Sequence, residues 1–192
     1  YGGVVHNSTI SGCLGRRAGA GAYAASLIDC LIESNGMESI GGPFVVIQGC
    51  GAANSSLSRC IIRRNQMSTG GSPPFGCSYG QGAGVANSVL YNCIVYYNTA
   101  PDGSNYWSSQ LSYCCTEPAP QYGYANMTNE PQFLDVEAGN LRLQATSPCI
   151  SAGYNGYTYG STTDLDGNPR IGGGTVDIGA YEYQSTPPRL RI

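Results

Sequence analysis

The chain has no lysine: all nine of its basic residues are arginine. Charged residues make up only 11% of its 192 residues, and the formal net charge is −3. Binding to nucleic acid or to an anionic membrane surface needs a basic patch, so neither partner is expected. No apolar run approaches the ~18 residues of a membrane-spanning helix, so no membrane insertion is expected. The only histidine is His6, and no Cys-x-x-Cys pair occurs, which removes the usual zinc spacings. A secretory leader is also missing. The chain opens in repeat-like sequence at Tyr1, which fits a removed leader or a longer parent polypeptide.

What is abundant is glycine (28), tyrosine (15) and cysteine (9). The cysteines sit in a recurring frame, clearest in Ser88-Val-Leu-Tyr-Asn-Cys-Ile-Val-Tyr-Tyr-Asn98. It returns as Ser26-Leu-Ile-Asp-Cys-Leu-Ile-Glu-Ser-Asn35 and Ser55-Ser-Leu-Ser-Arg-Cys-Ile-Ile-Arg-Arg-Asn65. Shorter versions surround Cys13 and Cys114. The frame is an aliphatic residue, two variable residues, Cys, an apolar pair, then Asn. A unit repeating at about one solenoid coil points to stacked coils, none of which can bury its apolar side alone. The expected fold is all-β: a β-solenoid over residues 1–116, a C-terminal cap over 117–183, and an extended tail over 184–192.

The frame sets a register. Leu27 and Cys30, three apart, face opposite sides of a straight strand, so a bend must separate them. Gly12, Asp29 and Asn92 at that point tolerate a left-handed backbone; Arg59 and Tyr113 depart from this. Beyond the bend, Cys13, Cys30, Cys60, Cys93 and Cys114 form one column, and Asn35, Asn65 and Asn98 form an amide ladder. Buried Cys stacked this way acts as a small hydrophobe. Asp29 falls over Arg59 and Glu33 over Arg63, as surface pairs contributing about 0.2–1 kcal/mol each. The inserts 36–49 and 66–82 read as solvent loops. Nine cysteines suggest an oxidising compartment. Because Cys114 fills the column, Cys115 should project away from it, and a disulfide from Cys115 to Cys149 of the cap is expected.

From Thr116 the repeat stops. Pro131-Gln-Phe-Leu-Asp135, Leu141-Arg-Leu143, Ser147-Pro-Cys-Ile150, Asp164-Leu-Asp-Gly-Asn-Pro-Arg170 and Asp177-Ile-Gly-Ala-Tyr-Glu182 follow. With the upstream frames, these resemble bacterial right-handed parallel β-helix proteins that end in a choice-of-anchor Q domain. The resemblance makes the expected solenoid a right-handed parallel β-helix, and implies a secreted or cell-surface protein whose anchor varies. Here only Gln184-Ser-Thr-Pro-Pro-Arg-Leu-Arg-Ile192 follows, without an anchoring pattern.

Candidate chemistry is sparse. Asp164, Asp166 and Asn168 offer alternating oxygens, a weak candidate calcium loop; an Asp-Gly turn is the plainer reading. Arg170 reads as a structural partner of Glu182 or Asp177. A lyase or hydrolase would need carboxylates along a groove, and only Asp29, Glu33, Arg59 and Arg63 are available in the repeats. His6 lacks a nucleophile partner and reads as a surface residue. Tyrosines could stack on sugars, making extracellular glycans a candidate partner. Asn7, Asn54 and Asn126 open glycosylation-type triplets. No cofactor is expected beyond candidate calcium. The expected role is a non-enzymatic extracellular module, an adhesin or filament subunit, with a polysaccharide-binding or polysaccharide-degrading protein as the alternative. The tail residues Arg189, Leu190, Arg191 and Ile192 alternate as a strand does and could add to a neighbour's sheet edge, giving head-to-tail association.

Overall fold

Five short parallel strands, Val4–His6, Ser26–Ile28, Ser56–Ser58, Val89–Tyr91 and Gln110–Ser112, stack coil on coil into a first sheet. The structure is a computed structural model and describes residues 2–38, 46–68, 79–172 and 174–184. A second sheet stacks Thr9–Ser11, Leu31–Glu33, Ile61–Arg63, Ile94–Tyr96 and Cys115–Thr116. A third contains Leu14–Gly15, Gly36–Glu38 and Gln66–Ser68. A fourth contains Ala22–Tyr23, Ala52–Ala53, Val85–Ala86 and Tyr106–Trp107. The fold is a parallel β-helix.

The register is the one the frame implies. Val5, Leu27, Leu57, Leu90 and Leu111 form one inward column, and Ile10, Ile32, Ile62 and Val95 another. Between them lie Cys30, Cys60, Cys93 and Cys114, and these columns together make the core. The bend before each Cys is left-handed throughout, at Asp29, Arg59, Asn92 and Tyr113 with φ of 53°, 52°, 51° and 53°. Arg59 and Tyr113 therefore adopt it despite their bulk, because inward burial on both sides of the corner fixes the phase.

Three series of corners share one construction: a left-handed residue, then a residue whose N–H turns to a side chain of the next coil. After Ser34 and Arg64, the N–H of Asn35 donates to Asn65 Oδ1 and that of Asn65 to Asn98 Oδ1, both at 3.0 Å. The amide nitrogens continue up the same ladder. It ends on Asn105, which takes the Asn98 amide at 3.1 Å. After Asn54 and Asn87, the N–H of Ser55 donates to Ser88 Oγ and that of Ser88 to Ser109 Oγ, both at 3.1 Å. At the Cys corner, the N–H groups of Cys60 and Cys93 point at Cys93 and Cys114 Sγ, both at 3.4 Å.

Cys13 does not stand in the cysteine column. Its N–H meets Asn35 Oδ1 at 3.1 Å and its carbonyl accepts from Gly36, so it lies beside Asn35. Ile10 pairs with Ile32 rather than Leu27. The two aliphatic columns share a spacing of five residues along each coil, so the Ile10-x-x-Cys13 match is a register slip by one corner. Ser26 is displaced similarly: it pairs with Ser56, and Ala25 occupies the Ser55 position. The inserts also differ from expectation. Val46–Gln48 pairs with Tyr79–Gln81, and Met37, Ile47, Cys50, Met67 and Ala83 form a second small core.

The C-terminal segment does two jobs. Residues 117–128 close the last coil: Tyr122 and Tyr124 carbonyls accept Leu111 and Tyr113 N–H, and Asn126 Oδ1 accepts Cys114 N–H. Residues 133–172 and 174–184 cover the side of the solenoid. An antiparallel hairpin, Phe133–Asp135 with Asn140–Leu143, packs with Cys149, Ile178 and Ala180 over the outward residues Leu31, Ile61, Ile94 and Cys115 of the second sheet.

Candidate functional site

The charged residues of the repeats meet those of the cap beneath this lateral cover. Arg59 Nε donates to Asp29 Oδ1 at 2.7 Å and its Nη2 to Oδ2 at 3.1 Å. Arg170 reaches the same carboxylate, Nη2 to Asp29 Oδ1 at 2.6 Å, and contacts Glu182 at 3.3 Å. All four side chains are at most 3% exposed. The Arg59–Asp29 pair is therefore buried rather than on the surface. The difference arises because the cap lies over the side of the stack, which the repeat register does not show. Arg63 joins Glu33 at 2.7 Å and donates to the Val136 carbonyl at 2.8 Å, a second tie to the cap.

Glu182 accepts the Asp177 N–H, and Asp177 accepts the N–H groups of Ser151 and Tyr183 at 2.7 and 2.6 Å. Burial, then the neighbouring Asp177 charge, pushes the Glu182 carboxyl up to about 8, while Arg170, shared with Asp29, offsets only part of this. Burial also raises Asp177. Asp164 accepts backbone N–H from Asp166, Asn168 and Glu182 at 3.0, 2.7 and 2.9 Å. Its second oxygen also takes the Asn168 amide at 3.2 Å. Asp166 faces away, held by Arg142 at 2.6 Å through both oxygens. The candidate calcium residues thus form a hydrogen-bonded Asp-Gly turn. Among the described residues no group of three metal-ligating side chains converges.

Cys115 and Cys149 lie in contact, but as two free buried thiols, without the expected disulfide between them. Cys115 Sγ also contacts the Asn129 carbonyl at 3.1 Å. His6 is exposed on its strand. Asn7 and Asn54 are exposed corner residues, whereas the Asn126 amide donates to the Leu111 carbonyl. Arg189, Leu190, Arg191 and Ile192 lie outside the described residues.

Sequence reasoning missed one feature. The first sheet's outer face carries Ser26, Ile28, Ser56, Ser58 and Tyr91, and the cap turn Asn155–Tyr157 lies beside it. Tyr157 packs on Tyr91 with centroids 4.0 Å apart, and Tyr154 stacks on Tyr113 at 5.2 Å. Tyr124 and Tyr157 hydroxyls meet at 2.8 Å. Tyr157's carbonyl accepts from both Ser58 and Arg59. The result is a groove of about 210 Å³ walled by Tyr91, Tyr157 and Tyr159. Tyr157 and Tyr159 of the wall come from the cap, about 100 residues after the floor (Ser58 and Tyr157 are 99 apart), so no local pattern announces the groove.

No protein-family model matches the chain, and no curated protein matches it.

Proposed function

We propose that the chain is a non-enzymatic structural module of a secreted or cell-surface protein, an adhesin or a subunit of an extracellular assembly. The observation that carries this is the destination of its charge. Asp29, Arg59, Arg170 and Glu182 are sealed together and bind the cap to the coils. The motifs that resemble the choice-of-anchor Q domain supply much of this joint: Asp164, Arg170, Asp177 and Glu182 each hold a turn or a neighbour in place. A lyase or hydrolase instead needs carboxylates opening onto the groove that holds the sugar. Head-to-tail association through residues 187–192 belongs to the same proposal, since a strand can add to an open sheet edge.

Two measurements test it. Incubation with a panel of purified polysaccharides is expected to release no new chain ends; depolymerisation that Glu33→Gln abolishes would overturn the non-enzymatic reading. Light scattering at rising concentration is expected to show growth that deletion of residues 187–192 removes. A monomer at every concentration would contradict the assembly reading.

A further inference from the structure

The groove between the first sheet and the cap is built differently from the charged joint beside it. Its floor repeats from coil to coil: Ser26 pairs with Ser56, and Ile28 with Ser58, which in turn pairs with Tyr91. Successive rungs are ~4.8 Å apart, so hydroxyls and apolar surface recur along the solenoid axis. The wall is aromatic, from Tyr91, Tyr157 and the 86% exposed Tyr159. Aromatic faces carry negative quadrupole charge, which suits the weakly positive C–H faces of a sugar ring, while hydroxyls suit its edges. Arg59 lines the wall, but its guanidinium is buried and its N–H groups are taken by the Asp29 carboxylate and the Tyr157 carbonyl. The groove therefore offers no exposed cation to a uronic acid or sulfate.

Size points the same way. Its volume of about 210 Å³ falls below the ~300–1,000 Å³ of pockets that engulf a small ligand. It suits a segment of a polymer that continues into solvent at both ends. Tyr91 and Tyr157 are also held in place before any ligand arrives, by their mutual contact and by the Tyr124–Tyr157 hydroxyl pair. A pre-formed aromatic surface binds without an ordering cost.

We propose that this groove binds a neutral polysaccharide along the solenoid axis, with Tyr159, Tyr157 and Tyr91 stacking on sugar rings and Ser26 and Ser56 meeting their hydroxyls. This adds a ligand to the structural reading and does not depend on it. The test is affinity electrophoresis of the full chain through gels containing hydroxyethyl cellulose, galactomannan, arabinoxylan or polygalacturonate. At least one neutral polymer is expected to retard the protein. Tyr159→Ala should weaken that retention about tenfold, as loss of one aromatic contact does. Ser56→Phe, which fills the floor from an exposed strand position, should abolish it with the urea midpoint unchanged. Tyr122→Ala, exposed and outside the groove, should leave it intact. Retardation by no neutral polymer, by polygalacturonate alone, or undiminished in Ser56→Phe would overturn the site. Retention with cleavage would support the site and overturn the non-enzymatic reading instead.

Discussion

Ala24 illustrates how the corners constrain single residues. It is exposed, with φ of 51°, at the corner that Asn54 and Asn87 occupy in later coils. A left-handed conformation with a Cβ costs about 1–2 kcal/mol, which glycine avoids while gaining unfolded-state entropy. Ala24→Gly is expected to raise unfolding stability by about 0.5–1 kcal/mol in urea titrations; a loss would show that the corner does not strain its residue. Buried thiols make a second case. Burial raises Cys60 and Cys93 far above the ordinary thiol range; contact with Cys60, then burial, raises Cys30. Iodoacetamide on the native protein should leave these three unmodified while partly exposed Cys13 reacts; rapid labelling of Cys60 would refute the inward column. Glu182 sets a pH dependence. Its carboxyl titrates near 8 when folded, against 4.5 as its ordinary value. Between those values the native state holds a proton that the unfolded chain has released. Stability is therefore greatest below about 4.5, as far as this group is concerned, and falls as pH rises toward 8. Urea midpoints at pH 6 and pH 8.5 should differ in that direction for the parent chain, and the difference should shrink in Glu182→Gln.

At the scale of strands and corners, the ladders hold the coils in register. Asn65 accepts the Asn35 N–H and amide, and donates to the Ile32 carbonyl and to Asn98. Asn65→Ala leaves several of these buried groups unpaired, at about 1–3 kcal/mol each. The expected loss is about 3 kcal/mol or more by equilibrium unfolding; a change below about 1 kcal/mol would mean the ladder is incidental. Much at this scale was legible in the sequence. Leu27, Leu57 and Leu90 precede their Cys by three residues, and burial on both sides forces the bend. The Asn ladder follows from that register, apart from its final rung on Asn105. The serine ladder was not legible, because Ala25 interrupts it in one coil and Ser26 invites alignment with Ser55. Cys13 misled for a similar reason: two aliphatic columns five residues apart make one corner look like the next.

For the whole molecule, the decisive contacts join distant stretches of chain. Asp29 and Arg170 are 141 residues apart, and nothing local relates them. The Asp29–Arg59 pair was legible from the repeat, but its burial was not, since that depends on where the cap lies. The same placement creates the tyrosine wall of the groove. Burial changes the energetics of the pair. An exposed ion pair contributes about 0–1 kcal/mol, whereas removing one partner from a buried network leaves an uncompensated charge at about 3–5 kcal/mol. In Asp29→Asn Arg59 would lose its carboxylate partner and Arg170 the nearer of its two. The most direct test of a cap bound laterally by structural charge is therefore the unfolding free energy of Asp29→Asn in urea. A loss of about 3–5 kcal/mol is predicted; a loss under about 1 kcal/mol, as from a surface pair, would contradict it.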